Sequence, residues 1–438
     1  MKKLLAFFMG VIAFTSMYSQ GVVTPFEDWT TTAGSQNFFH KSFTRTTGGY
    51  VYVAGATVTG SGDYDMLLTK TSNGGVLQWT KQYDGLAHYH DFATDVFVDA
   101  SNNVYITGVV VNDTVSLYSD IITIKNNSSG VQQWVATYNG TGSLYDAGAK
   151  VIEDGSGNVY VCGGSYNASL NKDYTIIKYN SSGTQQWATE YDGSAHLDDA
   201  AVKVGISGGV LVVLGVSQQT STTYKPLTLN LNLSTGAVTS ATYSGSSGTN
   251  TDIVNDVFKD ASGNFYLVGG TPTVSHGYDF STIKLTASTM ALAWEVDYDG
   301  ADHLDDIGSG IQVDGSGNVY VTGYTTSSTQ QKDMITIKYN SSGTQQWLET
   351  YNDTLNGNDE ASSIVIDGSS NSYVSGYDST ALNGTDYYTI KYNSSGTEQW
   401  NIRSDGDAHL NDKVTDIAID TVGNIIVTGE SQKADSTY

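Results

Sequence analysis

Seven aspartates recur along the chain at nearly constant intervals: Asp91, Asp146, Asp199, Asp252, Asp306, Asp359 and Asp412, with gaps of 55, 53, 53, 54, 53 and 53 residues. Four of them follow a histidine by three positions: His88, His196, His303 and His409. The strings are YDGLAHYHD, YDGSAHLDD, YDGADHLDD and SDGDAHLND. Gathered carboxylates bind hard cations through oxygen, and imidazole hydrogen-bonds sugars or coordinates transition metals. This set therefore reads as a cation site, with calcium as the ion, or as a rim that grips a ligand. The same residues have a second reading, in which each Asp accepts backbone N–H bonds where a strand begins and locks neighbouring units together. Electrostatics does not force a metal, because two carboxylates about 10 Å apart repel by only about 1.7 kcal/mol at an effective dielectric of 20.

Other residues of chemical interest are weaker. Asp154, Asp260, Asp314, Asp367 and Asp420 each precede a short Gly, Ser and Asn turn, superficially like a calcium loop, but the distal bidentate Glu of such loops is missing and turn chemistry explains them. Lys70, Lys125, Lys178, Lys284, Lys338 and Lys391 recur in strand-like segments and read as solvated or cross-strand paired. No GxSxG elbow, P-loop, HExxH or Rossmann fingerprint occurs in a fitting context. The lone Cys162 excludes an intramolecular disulfide and reads as a small buried residue.

The elements that position these residues follow from a repeat. The tryptophans, Trp29, Trp79, Trp134, Trp187, Trp294, Trp347 and Trp400, are separated by 50, 55, 53, 107, 53 and 53 residues, so 107 is two periods and one unit near Ser240 lacks its marker. Each period holds four strand-like segments, as in Gly148–Glu153, Asn158–Gly163, Asp173–Tyr179 and Thr184–Tyr191, separated by Gly, Asn and Ser turns. Such a meander cannot cover both faces of its own sheet, so the units must stack, which predicts an all-β β-propeller of four-stranded antiparallel blades with the tryptophans as inter-blade packing residues. Second strands ending at Gly55, Gly108, Gly163, Gly215, Gly269, Gly323, Gly376 and Gly429 give eight blades, with seven as the alternative. The segment around Trp29 stands in fourth-strand register and is expected to close the last blade. The 4→1 links of all blades would then share one face, where the aspartates and histidines surround the channel mouth.

The repeated GNVYVTG, DxxTIKYNSSGTQQW and YDGxxHLDD strings resemble the SBBP β-propeller repeat family, found in exported bacterial proteins such as those of Bacteroidetes. The resemblance spans almost the whole of residues 21–438, read as a single propeller domain. It implies architecture and export, and it brings no catalytic residues. The family name implies seven blades, against the eight counted here. Exported relatives often end in a sorting domain, and the short segment after Gly429 suggests that the sequence stops within a third strand.

Lys2 and Lys3 before the apolar run Leu4–Phe14 predict a secretory signal peptide over residues 1–20, hence an exported protein at the cell surface or secreted. No stretch reaches transmembrane length, so membrane insertion is not expected. Twenty Lys and Arg against 45 Asp and Glu give a net charge of −25, which disfavours nucleic acid as a partner. The expectation is a monomeric, non-catalytic binding or scaffold module for glycan or protein that requires no cofactor. The alternative is a propeller hydrolase or lyase with two carboxylates and a histidine meeting at the channel mouth. The candidates obey the repeat, whereas a tuned catalytic centre breaks it.

Overall fold

The structure is a computed structural model that describes residues 2–8, 10–16, 26–31, 38–45, 49–58, 63–72, 74–112, 114–220, 223–243, 253–273, 277–287, 290–329, 331–353, 357–380, 384–405, 409–420 and 423–431, with side chains from Gly49 onward except at 58, 380, 430 and 431. The described residues form strands and turns. Seven four-stranded antiparallel sheets follow one another along residues 38–83, 92–138, 146–191, 199–243, 253–298, 307–351 and 360–404, here blades 1 to 7. Blade 3 is typical: Asp146–Glu153, Val159–Tyr166, Lys172–Tyr179 and Gln185–Tyr191 pair in sequence order. These are the four segments expected from the repeat, each within three residues of its predicted bounds.

An eighth sheet has five strands. Asp412–Ile419 and Ile425–Ser431 supply its first and second strands, and Phe26–Thr31, the segment that carries Trp29, lies in the same sheet as expected. It reaches that sheet through the hairpin Lys2–Phe8 and Gly10–Ser16, which pairs with Ile425–Ser431 where other blades have their own third strand. Residues 432–438, expected to begin that strand, lie outside the described residues, as does the side chain of Trp29.

The second-strand glycine that marks each unit has a local physical cause. In every blade the register slips by one residue in the first strand opposite this glycine, as between Ala93 and Asp95, Gly148 and Lys150, or Gly308 and Gly310. The bulge presses a first-strand carbonyl onto the glycine Cα, so a Cβ at Gly108, Gly163 or Gly323 would collide with the carbonyl oxygen of Phe92, Ala147 or Ile307. Only glycine fits there.

The chain divides into two compact units, one of residues 38–72 and 77–244, the other of residues 1–37, 73–76 and 245–438. Within the first, the first strands of blades 1 to 4 pack side by side in order, and within the second those of blades 5 to 7 and the eighth sheet do the same. The core of each lies between adjacent sheets. Second and third strands are nearly continuous runs of buried residues, such as Val104–Val111 and Ser119–Asn126, whereas fourth strands such as Gln132–Tyr138 are half-exposed. Tyrosines of the second strands, Tyr52, Tyr105, Tyr160, Tyr266 and Tyr320, and of the third, such as Tyr174, Tyr179 and Tyr339, are the largest fully buried side chains of these layers.

Candidate functional site

The sequence placed its candidate residues in the 4→1 links, and the structure shows how these are built. Asp91 lies at 0 % exposure, with Oδ2 accepting the Gly85 N–H and Oδ1 accepting the Val111 N–H at 2.8 Å. Asp146, Asp199 and Asp306 accept the N–H of Gly140, Gly193 and Gly300, each at 2.5 Å. Asp306 also accepts from Thr325 Oγ1 at 2.6 Å and from the Thr326 N–H at 3.0 Å. Asp359 takes the N–H groups of Asp353 and Ser379. The backbone N–H of Asp91, Asp306 and Asp359 in turn donates to the carbonyl of Tyr64, Tyr278 and Lys332, at or beside the start of the preceding blade's third strand. One residue thus ties a link, its own blade and the blade before it. The six described aspartates of the series are at most 1 % exposed, so a solvated ring of carboxylates, one form of the rim expected from the spacing, is not what they form. Amides of the link and of the second strand's end take the place of water at these oxygens. Asp252 lies outside the described residues.

Burial has an electrostatic consequence. It pushes the carboxyls of Asp91, Asp146 and Asp359 up to about 6, against the lowering effect of their N–H donors. Asp199 and Asp306 are raised for the same reason.

The histidines are placed differently. His88, His196, His303 and His409 are exposed, adopt positive φ of 49° to 54°, and each turns Nδ1 to the Asp four residues earlier: Asp84, Asp192, Asp299 or Asp405, all at 2.6 Å. The hydrogen bond to Asp84 or Asp192, and then that carboxylate's charge, hold His88 and His196 above the usual imidazole range. In the two described links where this Asp is replaced by Asn, Asn139 and Asn352, the residue four positions later is Ser143 or Asn356 and not His.

The spacing of Asp91 and its counterparts did not reveal a third carboxylate. An Asp near the start of the third strand, Asp65, Asp173 or Asp386, meets the link Asp and the first-strand Asp to form three triads: Asp65, Asp84 and Asp91; Asp173, Asp192 and Asp199; Asp386, Asp405 and Asp412. In each triad one oxygen per residue lies within 4.8 Å of the others. At that separation each pair of full charges repels by about 3.5 kcal/mol at an effective dielectric of 20. Three ionised carboxylates therefore cost far more here than on an open rim, and either protons or a cation must reduce the charge. Burial, and then Asp405, push Asp386 up to about 7, while burial pushes Asp173 up to about 6. Such oxygen-only sets are able to hold a metal ion. The signal in sequence was faint but present: a third-strand Asp occurs 19 residues before each triad's link Asp.

The tryptophans mark the other end of each blade. Trp134 Nε1 donates to the Ser181 carbonyl at 3.1 Å, and its ring covers Gly183 in the third hairpin turn of the next blade. Trp187, Trp294 and Trp347 repeat this on Gly236, Gly343 and Gly396, with Nε1 donating to the carbonyls of Leu233, Ser341 and Ser394, and Trp79 lies likewise on Gly130. Their rings remain half-buried, so the blade core is built by the tyrosines that meet them at a tilt, as in Tyr105–Trp134 at 6.3 Å and 57°. The recurrent lysines lie over the second-strand tyrosine opposite them, as Lys178 does over Tyr160 at 5.2 Å, which is the cross-strand pairing expected; Lys70, Lys178, Lys284 and Lys338 also reach the next blade, with Nζ on the carbonyl of Ser128, Leu233, Ser341 or Ser394. Trp and Lys face each other across the third and fourth strands, so both arrive at one turn carbonyl. The Asp154-type residues are turn acceptors, Asp154 taking the N–H of Ser156 at 2.9 Å and of Asn158 at 3.1 Å.

Successive four-stranded antiparallel meanders, packed sheet against sheet, define the class: this is a β-propeller fold. The family model described as SBBP, Beta-propeller repeat, matches residues 300–328, the stretch from Gly300 through His303, Asp306 and GNVYVTG, in agreement with the resemblance seen in the sequence. No curated protein matches the chain. Among solved structures, dihydro-heme d1 dehydrogenase NirN aligns with a TM-score of 0.52 at 13 % identity over 84 % of this chain and 66 % of its own, a likeness of fold alone. BamB from Moraxella catarrhalis aligns with a TM-score of 0.48 at 12 % identity over 89 % of this chain and 99 % of its own. The β-propeller domain of the Trilobed protease from Pyrococcus furiosus aligns with a TM-score of 0.45 at 9 % identity over 81 % and 95 %. No helix among the described residues is long and apolar enough to cross a membrane, which says nothing of a β-barrel.

Proposed function

We propose that the chain is an exported propeller acting as a non-catalytic binding or scaffold module at the cell surface, with a glycan or a protein as its ligand. The observation that carries this reading is an apolar, aromatic end on the unit formed by blades 1 to 4. The 4→1 links and the loops between second and third strands lie at the same end of each blade, because strand direction alternates. There Leu86, Val115, Tyr145 and Leu170 are 77 %, 90 %, 54 % and 67 % exposed. Tyr145 sits between Tyr118 and Tyr166, with ring centroids at 4.9 and 6.5 Å. Rigid aromatic faces beside hydrogen-bonding loops suit sugar stacking and protein anchoring alike. The non-catalytic reading draws on the sameness of the Asp and His sets from link to link, where the carboxylates are engaged by backbone amides.

The test is a glycan array probed with the full chain, alongside capture of surface proteins. Tyr145→Ala and Leu86→Ala should each lower binding at least tenfold while leaving the unfolding midpoint within about 0.5 kcal/mol of the parent, as is usual for exposed positions. Binding that is indifferent to both substitutions would remove this end from consideration. Turnover of a glycan or ester that depends on Asp199 and His196 would favour the hydrolase or lyase reading instead.

A further inference from the structure

The three aspartate triads are the strongest unassigned feature of the molecule. We propose that the third, Asp386, Asp405 and Asp412, is a binding site for one divalent, oxygen-seeking cation of the calcium class, seated at the junction between a link and the two sheets it connects. The inference is separate from the ligand-binding reading above. The site draws on three places: a third strand (Asp386), the link (Asp405) and the start of the next first strand (Asp412).

Clustered acids alone would not make a site, and the third triad supplies an independent reason. Asp386 is 3 % exposed, its Oδ1 is buried, and no group among the described residues hydrogen-bonds to that oxygen. Oδ1 of Asp405 is buried and equally without a partner, while its Oδ2 is held by His409. Buried carboxylate oxygens normally find donors. Here two of them belong to the same group of three carboxylates, where ionised neighbours have no hydrogen to donate and a cation meets all three at once.

The histidine acquires a defined role in this arrangement. It fixes one oxygen of the link Asp at 2.6 Å and leaves the other for the ion, the way outer groups orient metal-binding carboxylates. His409 is thus a positioning residue and not a ligand. Its φ is positive, at 52°, like those of His88 and His196, whose N–H groups donate to the Gly85 and Gly193 carbonyls in the same link turn. The co-occurrence inside this one sequence fits: the histidine accompanies a link Asp and is missing where the link carries Asn139 or Asn352. Oxygen-only donors select calcium-type ions over zinc, which favours nitrogen and sulfur.

The experiment uses the full chain, stripped with chelator and dialysed, and titrated with calcium chloride by isothermal calorimetry with metal analysis of the dialysed complex. At least one calcium ion per chain is expected. Asp405→Asn should lower that count by one and leave far-UV circular dichroism unchanged. His409→Ala should keep the count and weaken one site by about ten- to hundredfold. Absence of bound calcium in the parent overturns the proposal. So does an unchanged count in Asp405→Asn, or an unchanged affinity in His409→Ala. Should Asp405→Asn fail to fold, Asp386→Asn provides the same reading.

Discussion

Replacing Gly183 by alanine probes the clasp between neighbouring blades. Gly183 has φ of 82°, and a Cβ there would lie 2.6 Å from Cδ2 and 2.7 Å from Cγ of Trp134, which belongs to the preceding blade. Gly155 of the same blade has φ of 77°, but nothing lies within 4 Å of its Cβ position. Gly155→Ala should therefore cost only the left-handed backbone, about 1–2 kcal/mol. Gly183→Ala has that cost and an overpacking cost besides, since the indole must retreat, which also stretches the 3.1 Å bond from Nε1 to the Ser181 carbonyl. The excess over Gly155→Ala should be about 2 kcal/mol, from a modest overpacking penalty and one hydrogen bond. Trp134→Ala removes the obstacle, so the double variant Trp134→Ala and Gly183→Ala should be less damaged than the sum of the singles by about the same 2 kcal/mol. Urea unfolding followed by circular dichroism, with a common slope required of all variants, gives the four values. Equal costs for the two glycine variants, or an excess that persists without the indole, would refute the clasp.

Three further outcomes follow from the buried groups. Asp306→Ala strands the N–H groups of Gly300 and Thr326 and should lower stability by about 3 kcal/mol, measured by the same urea midpoint; a loss under about 1 would mean water replaces the carboxylate. Asp359 has its folded-state carboxyl raised from 3.8 to about 6, so its protonated form favours the fold and that contribution is lost as pH rises from 3.8 through about 6. Asparagine does not ionise, so the stability gap between parent and Asp359→Asn should narrow over that interval, and a constant or widening gap contradicts the assignment. Cys162 is fully buried with its thiol pushed up to about 12, so it should resist a thiol reagent in buffer at pH 8 and react at once in denaturant.

The sequence was read correctly wherever the controlling physics is local. Turn residues such as Gly155 and Asn180, the strand-like segments between them and the regular return of Trp and Asp fix a four-stranded meander of about 53 residues without knowledge of its neighbours. The same pattern located the links and identified the Asp and His types that occupy them. It also allowed the reading in which each Asp accepts backbone amides, and the hydrogen bonds of Asp91, Asp306 and Asp359 take that form.

What remained hidden depends on how one sheet lies against the next. Whether Asp91 is solvated or at 0 % exposure is decided by the first-strand position against the blade before it, which no spacing encodes. The recurrent lysines read as solvated or cross-strand paired, and their further partner, a turn carbonyl such as Ser394 reached from Lys338, stayed hidden because it lies 56 residues away on another sheet. Asp65, Asp173 and Asp386 resembled ordinary strand residues until the fold brought them within 4.8 Å of two further carboxylates. Sequence periodicity determined the repeated meander and the chemistry available to it, because strand and turn preferences act over a few residues. Only tertiary packing decided which oxygens lose water and which meet, because burial and charge proximity are properties of surfaces brought together from distant parts of the chain.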